Sequence, residues 1–349
     1  MKTIANIIYL LAIAITFSSC SPTNYLTLSV TQPAPIYIPK RIKSIGIINR
    51  SQASASNKKL DQLDKILSAE GKNMDKDGAN AAIDGLFDEL TKNNNFVTIK
   101  IIDSLDIKNQ GLNIFPAALS WEKVSDICNT HKIDAIFSLA SYDTDSKVDY
   151  KVVTKQVEGP LGISIPLIEH HATVNTIIKT GWRIYDVTDK IILDEQKINK
   201  SLVSTGSGVN PTKAVQAVIG RKADVKRISN NIGKNYALSL IPYRIRVSRH
   251  YFVRGTDNFV IGKRRAQTGD WDGAAELWKK ELTNPKTKIA GRAYYNMAIS
   301  NEINGNLGKA LDWASKAYTD YNIKLALKYV NVLKYRMAQE QQLKQESEE

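Results

Sequence analysis

Apolar and polar positions along this chain fall into three successive rhythms. "IKSIGIINR" (42–50) reads as the first clear strand, and a polar Ser/Asn linker follows it. In "GANAAIDGLFDELTKN" the residues Ala79, Ala82, Ile83, Leu86, Phe87 and Leu90 fall on one helical face. "FVTIKIID" (96–103) is a strand, and "SWEKVSDICNTHK" is a helix with Ser120 as its N-cap. "IDAIFSLASYD" is apolar nearly throughout, as a central buried strand would be.

From Lys147 the rhythm becomes a long alternation. Val174, Thr176, Ile178, Thr180, Trp182 and Ile184 share one face of a strand, and Asn175, Lys179, Arg183 and Tyr185 share the other. "KIILDEQKINKSLVS" pairs with this strand across the turn "DVTDK". "GPLGISIP" (159–166) reads as a hairpin loop whose Leu161, Ile163 and Ile165 form either a tucked-in turn, the favoured reading, or an exposed contact. Helix resumes at Asn210-Pro211, an N-cap followed by proline at the first helical position, and runs to about Leu240. The fold expected for 41–245 is an α/β or α+β domain with a mixed sheet. This order of elements, with its "DAIFSLASYD" strand and "WRIYDVTDKIILDE" hairpin, loosely resembles the CsgG/TolB-N-terminal-like domains of envelope lipoproteins.

The third rhythm is a self-match. "AQTGDWDGAAELWKKEL" aligns with "EINGNLGKALDWASKAY" at an offset of 36, placing Gly269, Ala274 and Trp278 against Gly305, Ala310 and Ala314. Gly262 and Ala298 take the small position of the preceding helix in each copy, which permits close helix contact. The period, the paired helices and the small residues resemble tetratricopeptide repeats, so 246–338 is expected to be an all-α repeat domain. Such arrays need about three units, and a last amphipathic helix through Ile323, Leu325, Leu327, Val330, Leu333 and Met337 would cover the exposed end. Residues 339–349 read as a polar tail. The whole layout resembles uncharacterised Gram-negative envelope lipoproteins with a C-terminal tetratricopeptide-repeat region.

Composition changes the picture at the N-terminus. Lys2 precedes a fourteen-residue apolar run, Ile4–Phe17, too short for the roughly 20 residues of a membrane-spanning helix. Ser18 and Ser19 then lead into Cys20, which resembles the lipobox of bacterial lipoproteins. The resemblance implies a signal peptide over 1–19, lipid attachment at Cys20 and a tether over 20–40. Ser21 in place of an aspartate implies an outer-membrane, periplasm-facing location. The formal charge of +13 then points away from nucleic acid and toward envelope contacts.

Catalytic chemistry finds little support. Of the four histidines, His170 and His171 point to opposite faces of a strand, His131 ends a helix and His250 lies among arginines. "DTDSKVD" lacks the glycine and closing glutamate of a calcium loop and reads as a solvated turn, and "TGSGVNPTK" lacks phosphate-loop spacing. Cys128, beside Val124 and Ile127, reads as a buried thiol. No catalytic residue, metal or cofactor is expected. The expected function is non-enzymatic binding of an envelope protein through the repeats, with Asn258, Arg265, Tyr294 and Asn301 as contact residues. The alternative is recognition of anionic glycan or lipid headgroups by Arg244, Arg246 and Arg249 at the basic junction.

Overall fold

The computed structural model describes residues 21–51, 62–103, 115–158, 162, 164–218 and 221–348, with backbone alone over 62–73. Cys20 and the signal segment lie outside the described residues, as do Leu161 and Ile163. Two compact units emerge: Ala34–Ile241, and a second that joins the stretch ending at Pro33 to Pro242–Glu349.

The first unit is α+β. Strands β2 (Ser44–Asn49), β3 (Thr98–Ile102), β4 (Ala135–Glu158), β5 (Ser164–Asp186) and β6 (Ile191–Gly208) form one sheet in the order β3-β2-β4-β5-β6. The β3, β2 and β4 strands run parallel, and β5 and β6 continue antiparallel, so the sheet is mixed. Helices α1 (Gln62–Lys92) and α4 (Arg221–Leu238) bury Ala82, Leu86, Ile232 and Tyr236 against Ile45, Phe137, Trp182 and Ile184. The alternation read from sequence holds here: Val174, Thr176, Ile178, Thr180, Trp182 and Ile184 are all buried. Helix α2 (Trp121–His131) covers the opposite face, packing Val124, Ile127 and Cys128 on Ile48, Ile136 and Tyr185. That second layer buries Arg183 and Tyr185, which the alternation had placed on the polar side.

Two helix starts follow their side-chain caps: Ser120 accepts from the Lys123 N–H at the start of α2, and Asn210 from the Lys213 N–H at the start of α3 (Pro211–Gln216). Where α1 crosses α4, backbone meets backbone; a Cβ on Gly233 would lie 1.8 Å from the Ala82 carbonyl oxygen. The "DTDSKVD" segment is not a turn. It continues β4, with Asp143 and Asp145 beside Lys179 of β5.

In the second unit the stretch expected as a tether contains β1 (Thr23–Gln32), paired antiparallel with β7 (Tyr243–Phe252). Five helices follow: α5 (Asp257–Gln267), α6 (Trp271–Lys279), α7 (Thr287–Ile303), α8 (Leu307–Thr319) and α9 (Lys324–Glu348). The segment expected as a polar tail is therefore helical to Glu348. Its apolar stripe also differs: Ala326, Tyr329, Val330 and Leu333 are buried, whereas Leu325, Leu327 and Met337 are exposed.

The offset of 36 is visible in the turns. Gly269 (φ +87°) and Gly305 (φ +77°) both take the left-handed conformation that glycine adopts without steric cost. Around them the same three bonds recur: Gly269 N to Ala266 O, Asp270 N to Arg265 O and Trp271 N to Gly269 O, then Gly305 N to Glu302 O, Asn306 N to Asn301 O and Leu307 N to Gly305 O. The cores of the two hairpins differ in a complementary way. Gly262 sits against Trp278, its absent Cβ 2.7 Å from the indole Nε1, whereas the corresponding pair is Ala298 and Ala314.

Candidate functional site

The β1/β7 ribbon has two unlike faces, because successive strand residues alternate sides. Leu26, Val30 and Tyr251 turn toward the helices. Asn296 of α7 holds the ribbon's end: its Oδ1 accepts from Phe252 N at 2.7 Å and its Nδ2 donates to Phe252 O at 2.7 Å, both buried. One turn and a half further along α7, Glu302 is fully buried. It accepts from Arg249 (Nε 2.8 Å, Nη2 2.9 Å), from Arg336 of α9 (2.6 Å) and from Tyr329 Oη (2.6 Å). Burial alone would raise this carboxyl, but the bonds from Arg249, Tyr329 and Arg336 outweigh it and hold it below its ordinary value. Gln339 and Gln32 close the far end with a hydrogen bond.

Arg249 is therefore not part of an anion-binding row. It points to the opposite face from Arg244 and Arg246, and its charge is already compensated by Glu302. Arg244 and Arg246 are exposed, opposite Thr31 and Ser29, and make no ion pair among the described residues.

The four expected contact residues are half-buried and bonded within the unit. Asn258 donates to Glu281 (2.5 Å) and Arg265 to the Gly273 carbonyl (3.0 Å). Tyr294 stacks on Tyr321 with ring centroids 4.8 Å apart, and Asn301 donates to Met297 O (2.8 Å). Asn258, Arg265 and Tyr294 tie neighbouring segments of the unit together, and Asn301 bonds back within α7.

An open groove lies elsewhere. The first turns of α8 and the second half of α9 enclose about 690 Å³, floored by Leu307, Leu311 and Met337. Lys309, Lys334 and Lys344 stand on its rim, and Glu340 is the one acid among the described lining residues. Sequence reading missed it because Met337 was assigned to the packed stripe of α9.

The remaining candidates are occupied. His171 Nε2 lies 2.9 Å from Glu169, and His170 stacks on Tyr150. Bonds from Lys155, His171 and Ser207 lower the Glu169 carboxyl to about 2. Cys128 is buried, and desolvation pushes its thiol up to about 12. Among the described residues no group of three His, Cys, Asp or Glu could hold a metal ion, and no helix is long and apolar enough to cross a membrane.

With this geometry in place, similarity to known proteins can be set beside it. The family model DUF8603, a domain of unknown function, matches residues 42–252, which spans the mixed sheet and reaches the end of β7. A second model, DUF6340, also a domain of unknown function, matches residues 260–335, from α5 into α9. No curated protein matches the chain. Among solved structures, the PelC dodecamer from Paraburkholderia phytofirmans is 8% identical and covers 62% of this chain and 99% of its own, with a TM-score of 0.24. A point variant of that dodecamer gives 10%, 61%, 96% and 0.23. Likeness at this level carries nothing about assembly or role.

Proposed function

The chain belongs to the DUF8603 family, and for this member we propose a non-enzymatic, lipid-anchored envelope protein that binds a protein partner through its helical unit. The observation that carries the reading is the groove between α8 and α9. It combines an apolar floor with a lysine rim, a surface suited to an acidic, partly apolar polypeptide segment. Tetratricopeptide-like character is supported by the recurring glycine turns at an offset of 36 and by the small residues where helices meet. Anchoring at Cys20, with an outer-membrane, periplasm-facing location, rests on the N-terminal pattern alone.

A photo-crosslinking residue at Met337 should give one discrete adduct in cells, abolished by Lys309→Glu with Lys334→Glu. A probe at Tyr25, 69% exposed on the ribbon, should not give it. Identical adducts from both positions, or none, would refute the groove. For the anchor, Cys20→Ala should lose acyl label and membrane fractionation together; fractionation that persists without label would refute it.

A second reading is favoured by the exposed ribbon face, where Arg244 and Arg246 stand beside Ser29 and Thr31. It is a ligand-binding or envelope-remodelling factor for anionic glycan or lipid headgroups. Its mark is salt-sensitive binding to anionic vesicles that is lost in Arg244→Gln with Arg246→Gln.

A further inference from the structure

The α+β unit contains a polar cluster that neither reading above uses. From β2 the chain crosses to β3 on one side, and from β3 it returns to β4 on the other. In open sheets such a reversal opens a crevice at the carboxyl ends of the strands, where ligands bind. Arg50 is the first residue beyond β2, and its N–H still bonds to Leu139 O of β4 (2.9 Å). Alternation places its side chain on the α2 side with Ile48.

This side chain is 7% exposed and poorly compensated. Its guanidinium reaches Ala117 O only at 3.4 Å and Tyr185 Oη at 3.5 Å, and Nε has no partner among the described residues. No carboxylate pairs with it among the described residues. Arg183, from β5, lies beside it and donates to Tyr185 Oη and Pro116 O, each at 3.2 Å. Glu195 pairs with Arg183 at 2.6 Å and is the cluster's one acid among the described residues. Tyr185 Oη also receives Leu119 N (3.0 Å), so one phenol oxygen faces three donors.

Ser138 of β4 stands between these strands, in register with Ile48 on one side and Arg183 on the other. It is fully buried, and its Oγ has no partner among the described residues. The Phe115 ring roofs the cluster, 4.5 Å from the Arg183 guanidinium carbon. The ring lies directly on Gly181, where a Cβ would meet it at 2.3 Å. Burial lowers the Arg50 pKa, and the neighbouring Arg183 charge adds to that.

Folded proteins seldom leave buried polar groups unpaired, and a buried cation without a counter-charge is costly. Here a guanidinium and a hydroxyl are both short of partners on one sheet face, beside a second guanidinium. The missing complement is a compact acceptor with negative charge. We propose that Arg50, Ser138 and Arg183 form a binding site for the oxyanion group, phosphate or carboxylate, of a small ligand at the carboxyl end of β2.

The test is thermal unfolding of the full chain in inorganic phosphate, and separately in acetate, against chloride at matched ionic strength. At a hundred times the dissociation constant, one of the two oxyanions should raise the midpoint by roughly 5–10 °C in a saturable way. Which one does so identifies the ligand class. Arg244→Gln with Arg246→Gln should keep the rise, which separates this site from the ribbon surface. Arg50→Met should abolish the rise while unfolding no earlier than wild type in chloride, and Arg50→Lys, lacking the fork, should weaken binding about tenfold. Should the variants fail to fold, phosphorus NMR of phosphate with wild-type protein reads binding directly, as does saturation-transfer NMR of acetate. No response beyond chloride from either anion overturns the proposal, as does an equal response from Arg50→Met; the orphan groups are then served by water alone, with the Arg50 and Arg183 guanidiniums struts for the Ala117 and Pro116 carbonyls.

Discussion

Replacing Glu302 by glutamine should strongly destabilise the helical unit. The carboxylate is fully buried, and it is the shared acceptor of Arg249, Arg336 and Tyr329, whose partners reach it from β7 and α9. The side chains of Arg249 and Arg336 are only 10% and 15% exposed. Glutamine keeps the size but turns a donor toward one guanidinium, leaves Arg249 without a counter-charge, and leaves Arg336 with only the half-exposed Glu340 at 3.6 Å. Removing one partner of a buried pair costs about 3–5 kcal/mol. A domain's whole stability is about 5–15 kcal/mol, so the loss is a large share of it. The midpoint of this unit should fall by roughly 10–20 °C.

Trp271, Trp278 and Trp313 report on this unit, and Trp121 and Trp182 on the other, so fluorescence during unfolding should show the helical unit melting first. The three-residue replacement Arg249→Met, Glu302→Leu, Arg336→Met removes the three buried charges at once, leaves the half-exposed Glu340 to solvent, and should recover most of the loss. Acid has the same target. Because the folded carboxyl is held below its ordinary value, its contribution is complete above the unfolded value of about 4.3. That contribution is lost as pH falls through the lower folded value, and Glu302→Gln should lack the loss. A Glu302→Gln protein within about 1 kcal/mol of wild type would refute the reasoning, since an exposed pair is worth no more than about that.

Three further outcomes follow from single contacts. Gly233→Ala places a methyl 1.8 Å from the Ala82 carbonyl oxygen, where only backbone movement can relieve it, and should cost about 1–3 kcal/mol in chemical denaturation of the sheet unit. Asp75 is raised to about 6, chiefly by burial and also by Asp143 and Asp145, against a bond from Thr144. The native state therefore favours its protonated form, and stability falls as pH rises from about 4 to about 6. Asp75→Asn should remove that fall and stabilise the protein by about 1–3 kcal/mol at pH 7 in urea titrations. Cys128, buried with its thiol raised to about 12, should resist alkylation at pH 8 in the native protein and react at once in urea, as mass spectrometry would show.

Much of the architecture is legible locally. The caps at Ser120 and Asn210, the buried row from Val174 to Ile184 and the helix face from Ala79 to Leu90 depend on residues within a few positions of one another. The turns at Gly269 and Gly305 are legible for the same reason, since a left-handed residue at a helix end leaves a glycine in the sequence. Periodicity also marked Arg244 and Arg246 as one exposed face.

What tertiary structure alone decided are the pairings between distant segments. Thr23 meets Phe252 across the chain, and no local pattern in 20–40 distinguishes a tether from a strand whose partner lies so far away. That pairing turns Arg249 toward Glu302 and so removes it from the basic surface. The α2 layer does the same to Arg183 and Tyr185, burying a face that alternation had assigned to solvent. A charge is written in the sequence, but its compensation is a property of the space around it. Whether an arginine is exposed, neutralised or left waiting for an anion therefore follows from packing, as Arg246, Arg249 and Arg50 respectively illustrate.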